Sequence, residues 1–142
     1  MTVRYLEEIR TRGRDANPFF CLMGIDVGAY DDGRAELSMQ VRPDMLNGDG
    51  WLQGGVFASL CDEAMALALC TVLDERESIA TISESTSFLR GVTEGVIVAR
   101  GRVIRKGRRV AFTEGEVRMQ GTDAPLLSQT AASFAVIRSR EE

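Results

Sequence analysis

Histidine is absent from this chain of 142 residues, and its absence excludes whole classes of chemistry. Without an imidazole, neither a Ser-His-Asp nor a Cys-His arrangement can form within the chain. Cysteine occurs at three positions, an odd number with no C-x-x-C pair. That pattern predicts neither a disulfide scaffold nor a zinc site. Cys61 has no imidazole to activate it and is interpreted as a core residue.

Positive charge is in deficit, because the formal net charge is −4. This disfavours non-specific binding of nucleic acids. The first ten residues are rich in charge and lack the apolar run of a signal peptide. The long apolar stretch at residues 54–73 carries Asp62 and Glu63 in its middle, so it is a poor membrane span. We expect no nucleic-acid or membrane partner and a cytoplasmic location.

The composition that remains is ordinary for a globular protein, with 44% hydrophobic and 27% charged residues. It excludes a disordered chain, and the length predicts one domain over residues 1–142. Apolar residues recur at helical spacing near the start, before Asn17-Pro18 breaks the pattern. Residues 1–17 are therefore predicted to form a helical extension.

One long helix over residues 54–73 is the central element of the predicted fold. No proline interrupts it, and Ala, Leu and Met dominate, so helix propensity agrees with the pattern. Its length would be about 30 Å. Apolar residues surround it almost completely, and such a helix is expected to be buried on all sides.

Asp62 stands alone among apolar residues of that helix. A carboxylate in such a row is costly unless it is paired or has a chemical task. Three interpretations are open from periodicity alone. Asp62 accepts a structural hydrogen bond, or its row faces solvent beside Glu63, or it is catalytic.

The Gly54-Gly55 pair at the predicted helix start favours the catalytic interpretation. Backbone N–H groups at a helix start point outward and carry partial positive charge. Glycine leaves them uncovered, so a carbonyl oxygen can approach closely. That is the geometry of an oxyanion hole.

Alternating apolar residues and turn signals predict an antiparallel sheet around this helix. Asp31-Asp32-Gly33 is typical of a hairpin turn, and Gly or Lys-Gly punctuates the second half of the chain. The predicted strands cover residues 25–30, 34–41, 79–90, 96–105, 109–119 and 126–137. The predicted class is α+β, with the sheet wrapped around one long central helix.

The spacing Asn47-x(5)-Gln53-Gly54-Gly55-x(4)-Leu60-x-Asp62 resembles the active-site segment of the hotdog-fold acyl-CoA thioesterases of the phenylacetate (PaaI-like) type. Their usual pattern is Asn, His-Gly-Gly, then Leu-x-Asp, so Gln53 stands where that family has histidine. The likeness also includes residues 81–83, 87–90 and 107–112, and covers roughly residues 20–138. It implies a hotdog fold and hydrolysis of acyl-CoA thioesters with aromatic or short to medium acyl groups.

The resemblance also implies roles for individual residues. Asp62 acts as general base or nucleophile, and the Gly54 N–H, with Gly55 as a second possibility, stabilises the oxyanion. Gln53 positions the thioester, because its amide still donates one hydrogen bond although it cannot titrate. The other site residues expected from the likeness are Asn47, which orients the water or the carboxylate, Thr81 as a second contact to the water, and Ser83 as a weaker contact to it. No metal and no cofactor are expected, since coenzyme A is part of the substrate.

The segment from Arg105 to Arg109 places four cations around one turn of an acidic chain. Such a cluster suits the phosphates of coenzyme A, and a solvated hairpin tip is the alternative. The resemblance places coenzyme A at this turn and around residues 88–93. The predicted residues for binding substrate and coenzyme A are Gly55, Ser83, Phe88, Leu89, Arg90, Arg105, Lys106, Gly107, Arg108, Arg109 and Val110.

Gly54 and Asp62 are separated by about 12 Å along a helix, so a thioester carbon cannot touch both within one subunit. Two antiparallel copies of the helix about a two-fold axis would bring them together. The resemblance implies sites at dimer interfaces and dimers that pair into tetramers. We therefore expect a homo-oligomer, a dimer or a dimer of dimers.

Two other functions stay open. The first is an acyl-CoA-binding or sensing hotdog protein that lost hydrolysis with the histidine replaced by Gln53. The second is a purely structural or interaction protein, which the isolated Asp62 disfavours. Hotdog dehydratases and hydratases depend on a histidine and are excluded.

Overall fold

The computed structural model of the chain describes residues 2–140. Met1, Glu141 and Glu142, at the two ends of the predicted 1–142 domain, lie outside the described residues. No helix in the described part of the chain is both long and apolar enough to cross a membrane.

Two helices open the chain. Helix α1 spans Thr2–Arg12, a 3-10 turn covers Gly13–Ala16, and helix α2 spans Pro18–Met23. The α2 helix begins at Pro18 because the Asn17 side chain accepts hydrogen bonds from the next free backbone N–H groups. It ends at Gly24, whose φ of 72° is left-handed. The predicted helical segment and its break at Asn17-Pro18 are both present.

Six strands form one fully antiparallel sheet: β1 (Ile25–Asp31), β2 (Arg34–Gln40), β3 (Glu77–Phe88), β4 (Val96–Lys106), β5 (Val110–Met119) and β6 (Leu126–Arg138). Their spatial order is β1-β2-β4-β5-β6-β3. Every predicted strand is present, with its bounds within two residues of the prediction. The strand that follows the central helix, β3, therefore lies at an edge and pairs only with β6.

Helix α3 spans Gly54–Cys70 and crosses the inward face of the sheet. Its backbone lies against Gly101 of β4, where an added Cβ would be 2.5 Å from the Ala64 carbonyl carbon. Gly115 of β5 likewise leaves room for the Cys61 sulfur. Glycine is needed at both positions because the helix approaches the strands so closely. The sheet and this single long helix form the predicted α+β hotdog architecture.

The helix ends three residues earlier than predicted. The Thr71 hydroxyl donates to the Ala68 carbonyl at 2.7 Å, and the Val72 N–H bonds the Leu69 carbonyl, three residues back. Bonds of this 3-10 type tighten the last turn and stop the α-helix. Residues 71–73 form the exit turn rather than a further turn of α3.

The expectation that α3 is buried on all sides is wrong for the single chain. Ala58, Asp62 and Ala66 form a row that is only half-buried, although the opposite side of the helix is fully buried in the core. The sheet covers the opposite side of the helix, and Thr81 of the edge strand β3 contacts this row at Asp62. We call the row Ala58–Asp62–Ala66 the open strip of α3.

Candidate active site

Asp62 lies on the open strip and is held from β3. The Thr81 hydroxyl donates a hydrogen bond to Asp62 Oδ1 at 3.0 Å. Asp62 is half-buried and Thr81 is exposed at the edge of the sheet. The carboxylate is thus oriented by a protein donor and still open to solvent on one side, which a base or nucleophile requires.

A β-bulge in β3 decides which side chains stand beside Asp62. Thr81 pairs with Phe134, but the next partner, Ser133, pairs with Ser83, so β3 has one extra residue, Ile82. Strict alternation would have put Ser83 beside Thr81 on the inward face. The bulge turns Ser83 outward and brings Glu84 inward instead. The structure therefore does not place Ser83, the predicted weaker contact to the water, on the same face as Thr81 and Asp62.

Glu84 takes the place expected for Ser83. It is opposite Ala132, whose buried side chain marks the inward face of β6. Its carboxyl group is hydrogen-bonded to that of Asp62, and loss of solvation followed by the negative charge of Asp62 raises the pKa of Glu84 to about 7. The sequence carries no signal for this contact, because the bulge that creates it follows no residue pattern.

Glu63, the next residue on α3, faces a different environment. Burial raises the pKa of Glu63 to about 7, the charge of Asp62 adds to this, and a hydrogen bond with Asn17 acts in the opposite direction. Asn17 also donates to the Tyr5 hydroxyl at 2.8 Å. Glu63 therefore belongs to a polar cluster beneath the N-terminal helices. It is not part of the open strip.

Cys61 is fully buried under the sheet. Burial raises the pKa of its thiol to about 11, so the thiol is protonated at neutral pH and is a poor nucleophile. Its interpretation as a core residue is confirmed.

At the helix start, one of the two glycine N–H groups is bonded by the cap and the other has no partner within the helix. The Gln53 side chain caps the helix, because its Oε1 accepts from the Gly55 N–H at 2.6 Å. The Gly54 N–H, at the first position of α3, has no intrahelical partner. The Phe88 ring lies over Gly54, where an added Cβ would be 3.2 Å from two ring carbons. Between the two predicted oxyanion donors, Gly54 is the one that the cap leaves available.

Asn47 organises the loop that leads into α3. Its Oδ1 accepts hydrogen bonds from the N–H groups of Asp49 at 2.9 Å and Trp51 at 3.1 Å. The Asn47 N–H in turn bonds the Trp51 carbonyl. The acceptor side of this amide is therefore used within the loop, and its NH₂ donor side is the part that can contact a substrate or water.

The segment after β3 is fixed through its backbone. The N–H groups of Leu89 and Arg90 both bond the Leu127 carbonyl, at 2.9 and 3.2 Å. The side chains of both residues are exposed. They are positioned at the surface, where a ligand can contact them.

The cationic turn between β4 and β5 is less free than its sequence indicates. Lys106 Nζ lies 3.0 Å from the carboxylate of Glu77, which is 1% exposed. The charge of Lys106 therefore pairs with a buried carboxylate of the same chain. Arg105, Arg108 and Arg109 are exposed. The turn itself is closed by the Gly107 N–H, which bonds the Val110 carbonyl at 2.9 Å.

The sheet register connects this turn to the open strip. Lys106 is opposite Ala111, Ala111 is opposite Phe134, and Phe134 is opposite Thr81. Three strand spacings, about 14 Å, separate Lys106 on β4 from Thr81 on β3. The predicted phosphate-binding turn and the predicted catalytic carboxylate are therefore at the same end of the sheet.

A groove of about 1070 Å³ lies on the opposite, outward face of the sheet and contains none of the predicted site residues. Its floor carries charges that are paired across the strands, such as Arg100 with Glu36 at 2.9 Å and Arg102 with Glu114. We interpret it as a solvated face. No group of three or more acidic or cysteine side chains within residues 2–140 is placed to hold a metal ion.

Comparison with known proteins identifies the class. Residues 49–125 match the model of the thioesterase superfamily, and this chain belongs to that family. The acyl-coenzyme A thioesterase PaaI of Escherichia coli is 30% identical over 98 residues, which are 67% of this chain and 66% of that protein.

Two solved structures give the same class. A phenylacetic acid degradation-related protein from Ralstonia eutropha superimposes with a TM-score of 0.82 at 25% identity, covering 92% of this chain and 98% of that one. A point mutant of the phenylacetic acid degradation protein PaaI from Thermus thermophilus gives 0.75 at 27% identity, covering 84% of this chain and 98% of that one. The predicted hotdog fold and thioesterase class are confirmed, whereas the role of Gln53 stays a prediction.

Proposed function

We propose that this chain hydrolyses acyl-CoA thioesters, with aromatic or short to medium acyl groups, to the free acid and coenzyme A. The observation that carries the proposal is Asp62 on the open strip of α3, between Ala58 and Ala66, held by the Thr81 hydroxyl at 3.0 Å. The family relationship supports the reaction class, and the E. coli relative is named an acyl-coenzyme A thioesterase.

The active unit in this proposal is a homodimer. Strand β3 is 12 residues long and pairs on one side only, although proteins rarely leave such a long edge open. Ile82 on this strand is 57% exposed, and Leu89, which directly follows the strand, is 55% exposed. Pairing of two β3 edges about a two-fold axis would face the two open strips towards each other. Further pairing into a dimer of dimers is part of the same proposal.

In the dimer, the Gly54 N–H of one protomer faces the partner subunit's Asp62. The thioester carbonyl accepts a hydrogen bond from Gly54, and Gln53 donates a second one through its Nε2. In one route, Asp62 removes a proton from a water molecule while that water attacks the carbonyl carbon. In the other, Asp62 itself attacks the carbonyl carbon and gives an anhydride that water then cleaves. The tetrahedral intermediate expels coenzyme A as its thiolate. Asn47 orients the water, and Thr81 orients Asp62.

Coenzyme A lies along the cationic turn in this arrangement. Arg105, Arg108 and Arg109 contact its phosphates as guanidinium donors. Phe88 and the exposed residues Leu89 and Arg90 line the path from this turn to Gly54. Lys106 contributes mainly by holding the turn to Glu77.

Replacement of Asp62 tests the proposal. Asp62→Asn keeps the shape of the side chain and should retain acyl-CoA binding while losing turnover. Release of coenzyme A from a panel of acyl-CoAs, followed with a thiol reagent, measures this. Asp31→Asn, at an exposed position, is the matched control. Undiminished hydrolysis by Asp62→Asn would remove Asp62 from the mechanism.

An acyl-CoA-binding protein without turnover is the second candidate, and Gln53 in place of the usual histidine favours it. The same panel separates the two functions. Binding measured by calorimetry with no release of coenzyme A supports the binder, and release supports the enzyme. The cytoplasmic location and the single domain over residues 1–142 stay predictions.

A further inference from the structure

The Asp62 carboxylate is contacted by two side chains from β3. The Thr81 hydroxyl donates a hydrogen bond to Asp62 Oδ1 at 3.0 Å, and the Glu84 carboxyl is hydrogen-bonded to Asp62 as well. The bulge at Ile82 makes this possible, because it places residues 81 and 84 on one face. Two carboxyl groups in hydrogen-bonding contact require a proton between them, since two carboxylates repel each other.

The arrangement of donors decides which carboxyl group holds that proton. A hydrogen bond donated to a carboxylate stabilises its charged form, and Thr81 donates to Asp62. Loss of solvation and the charge of Asp62 raise the pKa of Glu84 to about 7. Glu84 therefore keeps its proton to higher pH than an ordinary glutamate does.

The elements packed around Glu84 present few other titratable groups. On α3 these are Asp62 and the buried Cys61, whose raised pKa of about 11 keeps its thiol neutral. Strand β6 presents Thr130, Ala132 and Phe134 on its inward face, and none of them titrates. Among the described residues, Asp62 is the one charged group that perturbs Glu84.

We propose that Glu84 is a positioning residue for Asp62: in its protonated form it donates a hydrogen bond to the Asp62 carboxylate and, together with Thr81, holds that carboxylate in its reactive orientation. This inference rests on the proposed thioesterase function. When Glu84 loses its proton, the donor becomes a negative charge. That charge opposes both the orientation of Asp62 and the negative charge that develops on the thioester oxygen. Turnover should therefore fall as the pH rises through the pKa of Glu84.

Two substitutions separate positioning from mere packing. Glu84→Gln replaces the protonated carboxyl by an amide, which donates a hydrogen bond at every pH and never ionises. Glu84→Ala removes the donor. The matched control is Glu94→Gln, at an exposed loop position.

The first measurement is the pH profile of kcat and KM. The kcat of the wild type and of the control should fall above about pH 7. The kcat of Glu84→Gln should equal that of the wild type at about pH 6 and should not fall at higher pH. Glu84→Ala should lower kcat about tenfold at every pH without changing KM, the loss expected for one hydrogen bond to a charged group. Equal profiles for the Gln and Ala variants, or an alkaline decline that persists in Glu84→Gln, would overturn the proposal.

The second measurement needs no activity. Carbon-13 NMR of labelled glutamate side chains, assigned with Glu84→Gln, gives the titration midpoint of Glu84 directly. We expect about 7 in the wild type and a lower value in Asp62→Asn, which removes the neighbouring charge. A midpoint near the ordinary glutamate value of about 4.3, or one that Asp62→Asn leaves unchanged, would refute the pairing. If the wild type releases no coenzyme A, the proposed function fails, and this titration alone still decides whether Glu84 holds a proton for Asp62.

Discussion

Gly101→Ala tests the close approach between the backbone of α3 and strand β4. The added Cβ would be 2.5 Å from the carbonyl carbon and oxygen of Ala64 and 2.6 Å from the Met65 nitrogen, whereas ordinary contact begins at 3.4 Å. The difference, 3.4 minus 2.5 Å, requires a shift of about 0.9 Å. The clashing atoms are backbone, so no side-chain rotation can relieve it, and the helix must move away from the sheet.

The magnitude follows from two opposing effects. Overpacking of this kind costs about 1–3 kcal/mol, and replacing a strand glycine by alanine returns about 0.5–1 kcal/mol of backbone entropy. Because the clash is with backbone atoms, the cost lies at the upper end of that range, about 2–3 kcal/mol. The net loss is then about 1–2.5 kcal/mol, or roughly 4–10 °C in Tm for a domain of this size, at about 4 °C per kcal/mol. Thermal unfolding followed by circular dichroism measures it.

Function should change in the same variant. Ala64 is two residues beyond Asp62, so a shift of about 0.9 Å in this part of α3 would stretch the 3.0 Å bond from Thr81 beyond hydrogen-bonding range. We expect lower kcat at temperatures where the variant is fully folded. Gly48→Ala is the control, because no atom lies within 4 Å of its added Cβ. If Gly101→Ala unfolds at the same temperature as this control, the inferred contact between α3 and β4 is wrong.

Three shorter predictions concern the site. Thr81→Val should lower kcat about tenfold by removing a hydrogen bond to a carboxylate, while Thr81→Ser should stay near wild type; equal activity of both variants would contradict the role of the hydroxyl. Replacing Arg108 and Arg109 together by Ala should raise KM for CoA esters far more than for short CoA-free thioesters, and equal effects on both would exclude phosphate binding at the turn. Burial raises the pKa of Glu63 to about 7, so the folded state binds this proton more tightly than the unfolded state and loses stability as the pH rises from about 4.3 to about 7. Glu63→Gln should therefore weaken the fall in Tm between about pH 5 and pH 8; an unchanged fall would show that Glu63 ionises without penalty.

The predictions from sequence were accurate where a pattern is local. Alternation located each strand to within two residues, and the Gly54-Gly55 pair located the start of α3. Composition could not show how far the sheet curls around α3, so the open strip was missed. Nor could it show that Lys106 bonds Glu77, since the two residues are 29 positions apart.

The bulge in β3 shows most clearly why part of the site could not be predicted. Alternation from Thr81 leads to Ser83, and no residue type marks the insertion that turns Ser83 outward. A single extra residue exchanges the faces of everything that follows it. Glu84 became a neighbour of Asp62 for this reason alone.

Three features were predictable from the sequence alone: the α+β class, the long and mostly apolar helix that carries Asp62, and the thioesterase-like order from Asn47 to Asp62. Periodicity and spacing are properties of residues close together in the chain, so they can be recognised in the sequence alone. Strand pairing and helix placement were needed to show that Thr81 and Glu84 contact Asp62. They were also needed to show that the Gln53 side chain accepts from the Gly55 N–H and leaves the Gly54 N–H available. Those contacts depend on strand register and helix placement, which long-range packing sets.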